Sequence, residues 1–439
     1  MRRPFVPTRP AAGIKPAAGL GFLCILSVFT GGLRAAEYRV EPGINTLDTA
    51  IKKAAAGDVL QLQPGVYRGP VNIERTITLS GSVDSVIDAE GTGRVVTISA
   101  PDVVIRGVTV RGSGTRLDIE DSGIFVQPEG DRVLLEANRL QGNLIGIYLK
   151  GPEDAIVRDN FIVGSRNPHK NDRGNGIHLW NSPGSVVEGN RLEFGRDGVF
   201  VMASQRNIFR NNRFSDMRYA IHYMYTHDSE VSDNVSTRND SAYALMFSDR
   251  LKVTGNVSIS DRERGIFLNA ANKSDIHDNI VYGGVHKCVF MYNANMNTFT
   301  ENFFEGCEVG IHFTAGSENN KISGNTFIDN RTQVKYVGTR HIEWSFEGRG
   351  NYWSDHPAFD LDGDGIADWP YRPNDMVDQL IWKHPLAKLL INTPAMQVLR
   401  WSQSEFPALF PGGVTDSAPL MQAPVVVRTD NGPERSPEN

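Results

Sequence analysis

An asparagine in the same local phrase recurs at Asn138, Asn160, Asn190, Asn212, Asn234, Asn256, Asn279, Asn302, Asn325 and Asn351, with spacings of 22, 30, 22, 22, 22, 23, 23, 23 and 26 residues. A fixed period of this size limits the chain to a solenoid: a leucine-rich horseshoe, a helical repeat or a parallel β-helix. The residues between the asparagines choose among them. Short runs such as Ile177-His178-Leu179, Val199-Phe200-Val201 and Ile311-His312-Phe313 alternate apolar and variable positions in strong β formers, and nothing between them is long enough for a helix. The sequence therefore predicts an all-β chain, a right-handed parallel β-helix solenoid over residues 58–350, with about a dozen coils.

With the side-chain period of two in a strand, one inward row reads Ile124, Ile147, Ile177, Val199, Ile221, Leu245, Ile266, Val289, Ile311. The next reads Val126, Leu149, Leu179, Val201, Tyr223, Phe247, Leu268, Met291, Phe313. Successive coils then lie about 4.8 Å apart, and the asparagines form a ladder of side-chain amides at the turns. Looser coils occupy 58–112. Before them Leu47, Ala50, Ile51 and Ala54 share one face of a short helix suited to cap the open end.

The first 36 residues carry five basic residues, no acid, and an apolar run from Leu20 to Phe29 ending in small residues at Ala35 and Ala36. This is the pattern of a cleaved signal peptide, and the run is half of the ~20 residues a membrane span needs. Export places the protein outside the cytoplasm. Cleavage takes five positive charges from the formal net charge of −6 and leaves −11, an acidic balance that argues against nucleic acid and suits cations. Only Cys288 and Cys307 remain in the mature chain; two thiols in an oxidising compartment are able to pair, but they are too few for a disulfide scaffold.

The residues between the inward rows face solvent or a ligand: Phe125, Tyr148, His178, Phe200, His222, Met246, Phe267, Phe290, His312. The outward row two residues on reads Gln127, Lys150, Trp180, Met202, Met224, Ser248, Asn269, Tyr292, Thr314. One lysine is the only charge in these eighteen positions. An aromatic, His and Met face of this kind marks a contact site, with Trp180, Phe200, Phe267, Phe290, Tyr292 and His312 as its binding surface. Sugar-active enzymes on this fold need carboxylates to move protons and stabilise charge, and neither row has one. The reading is therefore a binding scaffold and not an enzyme; the alternative is a carbohydrate-active lyase, hydrolase or epimerase, for which the insertion Asn167-Pro168-His169-Lys170-Asn171-Asp172 loosely resembles a uronan epimerase loop. His178, Met202, His222, Met224 and Met246 sit on four successive coils, and thioether with imidazole suits copper over magnesium, calcium or zinc. Equally, methionine is an adaptable filler on a protein contact surface.

From residue 352 the pattern changes, and a C-terminal module runs to 421. Asp360, Asp362, Asp364, the Ile366 carbonyl and Asp368 have calcium-loop spacing, with glycine at position 6 and Tyr371 where a bidentate Glu is normal. A calcium ion there is structural. Thr393-Pro394 reads as helix cap and first residue, and Leu386, Leu389, Leu390, Met396, Leu399 and Trp401 form an apolar segment that needs a cover, either the solenoid end or another protein. Residues 422–439 are polar, proline-bearing and aperiodic, the composition of a disordered tail.

The phrases Gly174-Asn175-Gly176-Ile177-His178-Leu179-Trp180-Asn181, Gly350-Asn351-Tyr352-Trp353-Ser354-Asp355 and Pro385-Leu386-Ala387-Lys388-Leu389-Leu390 resemble the periplasmic β-helix maturation protein of the nitrous oxide reductase system, the NosD family. So do Val398-Leu399-Arg400-Trp401 and the closing 410–421 segment. The resemblance covers roughly 37–421 and is specific in its C-terminal half. It implies a partner of an ABC transporter, with its membrane and ATPase subunits, in assembling the copper-sulfur cluster of nitrous oxide reductase. It implies no catalytic residue in this chain. It also makes the His and Met face a place for copper, for a copper chaperone or for the reductase itself.

Overall fold

The structure is a computed structural model that describes residues 35–373, 376–390, 393–406, 412–423, 426–429 and 432–435. The expected signal peptide lies outside them except for Ala35 and Ala36. Among the described residues no helix is long and apolar enough to cross a membrane.

The repeat builds an all-β parallel solenoid of three sheets with 13, 12 and 13 strands, each strand hydrogen-bonded to the equivalent strand one coil earlier and one coil later. One core runs along its axis, filled by the two inward rows, whose members other than Phe247 are at 0–3% exposure. Helix α1 (Thr46–Lys53) buries Leu47 and Ile51 over the first coils, as the cap reading expects.

The asparagine ladder is continuous. Every member is buried, and from Asn160 onward each Oδ1 accepts both the backbone N–H and the side-chain N–H of the asparagine before it, as Asn234 does from Asn212 at 3.0 Å each. Each Nδ2 also donates to a backbone carbonyl of the preceding coil, Asn234 to Phe209 at 2.8 Å. The ladder ends on a carboxylate that the period does not reveal: Asp416 Oδ2 accepts from Asn351 N (2.7 Å), Asn351 Nδ2 (3.2 Å) and Trp353 Nε1 (2.8 Å).

The inward rows need one correction. Ile221 pairs with Tyr243 and Tyr223 with Leu245, so the coil at 241–246 sits two residues earlier than the rows above assign. Tyr243 fills the core because its hydroxyl donates to the Asn234 and Val257 carbonyls (2.8 and 2.9 Å), which removes the cost of burying it. Phe247, placed inward above, is exposed in the following turn. Because the slip is two residues, Met246 stays on the outer face but moves into the row of Met202 and Met224, and Ala244 takes its former place.

A second polar ladder runs beside the first, and Asp261 belongs to it. Its carboxylate accepts from the Asn239 backbone N–H (2.7 Å) and the Ser258 hydroxyl (2.6 Å). Complete burial outweighs these bonds and raises its pKa to about 6. A carboxyl raised on folding contributes stability that is fully present below its ordinary value and is lost as pH rises through about 6. Asp261→Asn keeps an acceptor for Asn239 and cannot ionise. The wild-type melting temperature should fall between pH 5 and 7.5, and that of the variant should not follow it.

Cys288 and Cys307 form a disulfide. At the far end, strand Gly413–Thr415 pairs with His341–Glu343 and Leu420 bridges Tyr352 and Ile366, so the closing segment belongs to the last coils. Helices α2 (Met376–Lys383) and α3 (Pro394–Glu405) stand between them in sequence, with a 3-10 turn Pro385–Leu390 joining them. In the stretch whose composition suggests a disordered tail, Val426–Thr429 and Gly432–Arg435 pair as an antiparallel hairpin.

Candidate functional site

The 12-stranded sheet carries the face singled out above, and its strands break the period of two at one place. A small residue, among them Gly176, Gly198, Ala220, Ala242 and Gly265, precedes the first inward row on coil after coil. A Cβ on Gly198 would meet the Phe214 ring at 2.4 Å, so positions 198 and 199 both face the core and the strand turns a corner. The residue before the corner then lands outside. This adds a third outward row, Asn175, Asp197, Tyr219, Ser241, Arg264, Lys287, and with it the carboxylate that the other two rows lack.

The first outward row is a floor and not an exposed surface. Phe125 and Tyr148 are buried beneath Arg94, whose guanidinium lies 3.4 Å over the Phe125 ring, and Glu120, which accepts from Lys150 Nζ at 2.7 Å. From there the rings stack along the axis, Tyr148 on His178 at 4.2 Å, His178 against Phe200 at 4.9 Å and Phe200 against His222 at 4.9 Å. Ala244 interrupts the series; Phe267, Phe290 and His312 resume it at 5.3 and 5.0 Å. Phe267 is buried, while Trp180 and Tyr292 of the next row are the exposed aromatics. Burial lowers the His178 pKa to about 4, and burial with Lys335 and Lys287 nearby does the same to His312, so both are neutral imidazoles at pH 7.

The five copper candidates fall into an unequal arrangement. Met202, Met224 and Met246 face one another across three consecutive coils in direct register, each half-buried. His222 lies on the middle strand, two residues before Met224. His178 is two coils away from His222, and the Phe200 ring packs between the two imidazoles at 4.9 Å from each, so they do not converge on one ion.

His222 is the most constrained of them. It is 9% exposed, its Nδ1 lies 3.0 Å from Asp197 Oδ2, and its buried Nε2 has no hydrogen-bond partner. Asp197 is held from the other side by Arg218, Nε to Oδ1 at 2.8 Å and Nη2 to Oδ2 at 2.5 Å. Burial alone would raise the Asp197 carboxyl; the bonds from His222 and Arg218 outweigh it and hold the group below its ordinary value. Tyr219 meets the His222 ring edge-on at 4.9 Å. The insertion near 167–172 does not hang free: Lys170 Nζ reaches Asp240 Oδ2 at 2.5 Å, 70 residues on, and so walls this side of the site. Asp197, Arg218 and Tyr219 are the residues that two-row reasoning misses. The small residue before each inward row is the signal that finds them.

At the C-terminal end, Asp360 accepts from the Gly363 and Gly365 backbone N–H groups (2.6 and 2.9 Å) and Asp368 from that of Leu361 (2.7 Å). Ligand atoms of Asp360, Asp362 and Asp364 lie within 4.8 Å of one another. Asp368 folds back on the loop without joining that group. The loop is tied to the solenoid's closing segment by Ala367 N to Pro419 O and Met421 N to Gly365 O (2.8 and 3.0 Å). Beyond it, Leu386, Leu389, Leu390 and Trp401 are 81%, 84%, 52% and 61% exposed. Met396 is buried and Leu399 half-buried, so these two hold the helices in place while the other four face outward.

Residues 167–358, which include most of this face, match the family described as "Periplasmic copper-binding protein (NosD)". A protein of Stutzerimonas stutzeri named "Probable ABC transporter binding protein NosD" is 41% identical over 83% of this chain and 87% of its own length. A protein of the same name from Pseudomonas aeruginosa is 40% identical over 89% and 94%. Among solved structures, the hyperthermoactive exopolygalacturonase of Thermotoga maritima aligns with a TM-score of 0.52 over 70% of this chain and 93% of that one, at 13% identity, a likeness of fold alone. Two relatives at 41% and 40% identity, each aligned over most of both chains, show that this chain belongs to the NosD family.

Proposed function

We propose that the chain is a non-catalytic periplasmic scaffold that holds copper on its methionine and histidine face while an ABC transporter docks elsewhere, in assembly of the copper-sulfur cluster of nitrous oxide reductase. The observation that carries this reading is the row Met202, Met224, Met246 in direct register beside a buried imidazole nitrogen with no partner. Thioether and imidazole donors select copper, and copper(I) above all, over hard cations. The description of the family as periplasmic and copper-binding and the names of the relatives point the same way. A copper chaperone or the reductase itself would meet this face.

A glycan-active enzyme is disfavoured by what the carboxylates near the floor are doing. Glycoside hydrolysis needs one carboxyl to protonate and a second to attack or to activate water. Both oxygens of Asp197 are engaged by Arg218 and His222, and Glu120 is engaged by Lys150 and Arg94.

The test replaces Met202, Met224 and Met246 by leucine, which keeps volume and removes the sulfurs. Nitrous oxide reductase matured in cells carrying the variant should lack its copper-sulfur cluster and the absorption that comes with it, while the transporter still co-purifies. Full cluster loading would overturn the reading.

We assign calcium to the loop at 360–368 as a structural ion. Its carboxylates already point inward on one another, and an ion between them would offset their mutual repulsion. Chelator should lower the melting temperature of the wild type by several degrees and leave an Asp362→Ala, Asp364→Ala variant unmoved; equal sensitivity would exclude the ion.

A further inference from the structure

We propose that Asp197, braced by Arg218, is a positioning residue that fixes His222 as the Nδ1–H tautomer and so presents the buried Nε2 as the nitrogen donor of a copper(I) site completed by the methionine row. The inference rests on the copper reading above and goes further by naming the ion's nitrogen, its oxidation state and the residue that prepares it.

Three observations carry it. Asp197 accepts two N–H bonds from the Arg218 fork, so its oxygens are acceptors and the His222 Nδ1 at 3.0 Å must be the donor of the bond between them. A neutral imidazole with its proton on Nδ1 has its lone pair on Nε2. That atom is buried and unpartnered on a residue nine-tenths buried, where an unmet acceptor is destabilising; a bound ion satisfies it. Nε2 lies across the ring from the Nδ1 that meets Asp197, on a residue two positions before Met224, which stands in register between Met202 and Met246.

Charge then chooses the oxidation state. Arg218 and Asp197 neutralise one another, and the donors themselves, one imidazole and thioethers, are uncharged. Such a set offsets a single positive charge better than two and is soft, which selects copper(I) over copper(II) and zinc(II). Carboxylates that hold metal-ligating histidines in this way are worth 10- to 100-fold in metal affinity.

The experiment uses the full exported chain. Anaerobic titration with copper(I) against a chromophoric chelator, bicinchoninate, gives affinity, and nitrogen-15 spectra of the copper-free protein give the His222 tautomer. We expect the wild type to show Nδ1–H at His222, and X-ray absorption of the copper(I) form to show one nitrogen with sulfur scatterers. Asp197→Asn should weaken copper(I) binding ten- to hundredfold and shift the tautomer toward Nε2–H, because the amide can offer Nδ1 a donor. A wild-type spectrum with Nε2–H at His222 would overturn the proposal without any variant, so it remains testable even if Asp197→Asn does not fold. Unchanged affinity in Asp197→Asn, with binding lost in His222→Ala, would remove Asp197 from the site and leave the copper reading standing. Unchanged affinity in both His222→Ala and the triple leucine variant would remove that reading as well.

Discussion

Asn234→Ala should cost about 2–4 kcal/mol of unfolding free energy, since it takes the side-chain partner from two buried backbone groups at roughly 1–2 kcal/mol or more apiece. Those groups are the Asn212 backbone N–H and the Phe209 carbonyl, bonded to the Asn234 side chain at 3.0 and 2.8 Å; the Asn212 Nδ2 loses one bond and keeps its other, to the Val187 carbonyl. Water cannot substitute, because the ladder members are at 0–2% exposure. In a solenoid each coil leans only on its neighbours, so the loss should be local first: hydrogen exchange should accelerate in the coils around 212 and 256 before the ends respond. Asn234→Asp should cost less at low pH than at neutral pH, since only the protonated carboxyl can replace the amide donor. A loss under 1 kcal/mol for the alanine variant would mean that the ladder is geometry without energy. The measurement is denaturant unfolding with fluorescence and exchange read side by side.

The ladder was legible in the sequence because an amide that must both donate and accept at every coil leaves one residue type at one period. The inward rows were legible for the same reason, with one exception. At 241–246 two registers place apolar or aromatic residues inside, Tyr243 with Leu245 or Leu245 with Phe247. The structure buries Tyr243 and satisfies its hydroxyl with two carbonyls, a tertiary fact that no local pattern carries. The 22-residue spacing of Asn212, Asn234 and Asn256 did contain the answer, since Ile221 advanced by 22 is Tyr243.

The site was half legible. Methionines and histidines on one outer face followed from period two, whereas Asp197 and Arg218 did not, because the strand's corner at a small residue breaks that period. Asp416 was illegible for another reason: it lies 65 residues past Asn351, the last member it caps, and loop closure over that distance leaves no periodic trace. Its role changes how the C-terminal half must be probed. Deleting 385–421 would remove both the exposed apolar segment and the ladder's end.

The second large effect is therefore sought by substitution. Leu386→Ser, Leu389→Ser, Leu390→Ser and Trp401→Ser together should abolish co-purification of the transporter's membrane and ATPase subunits and leave the solenoid's melting temperature within a degree or two. The four side chains are 52–84% exposed, and surface changes of this kind stay within about 0.5 kcal/mol each. Covering an apolar side chain of this size is worth roughly 1.5–3 kcal/mol, and a partner that covers all four would lose several kcal/mol, about a thousandfold or more in affinity after binding costs are set against it. Met396 and Gln403 are left untouched because they are buried, and Gln403 Oε1 accepts the Met376 N–H at 3.1 Å, joining α2 to α3; changing either would confound docking with folding. The triple methionine variant supplies the opposite pattern, with the transporter bound and the copper-sulfur cluster missing. If the four-serine variant still brings down the transporter at wild-type yield, the solenoid itself is the grip. Copper delivery and transporter docking would then share one surface, and the division of labour between the two halves of the chain would fall.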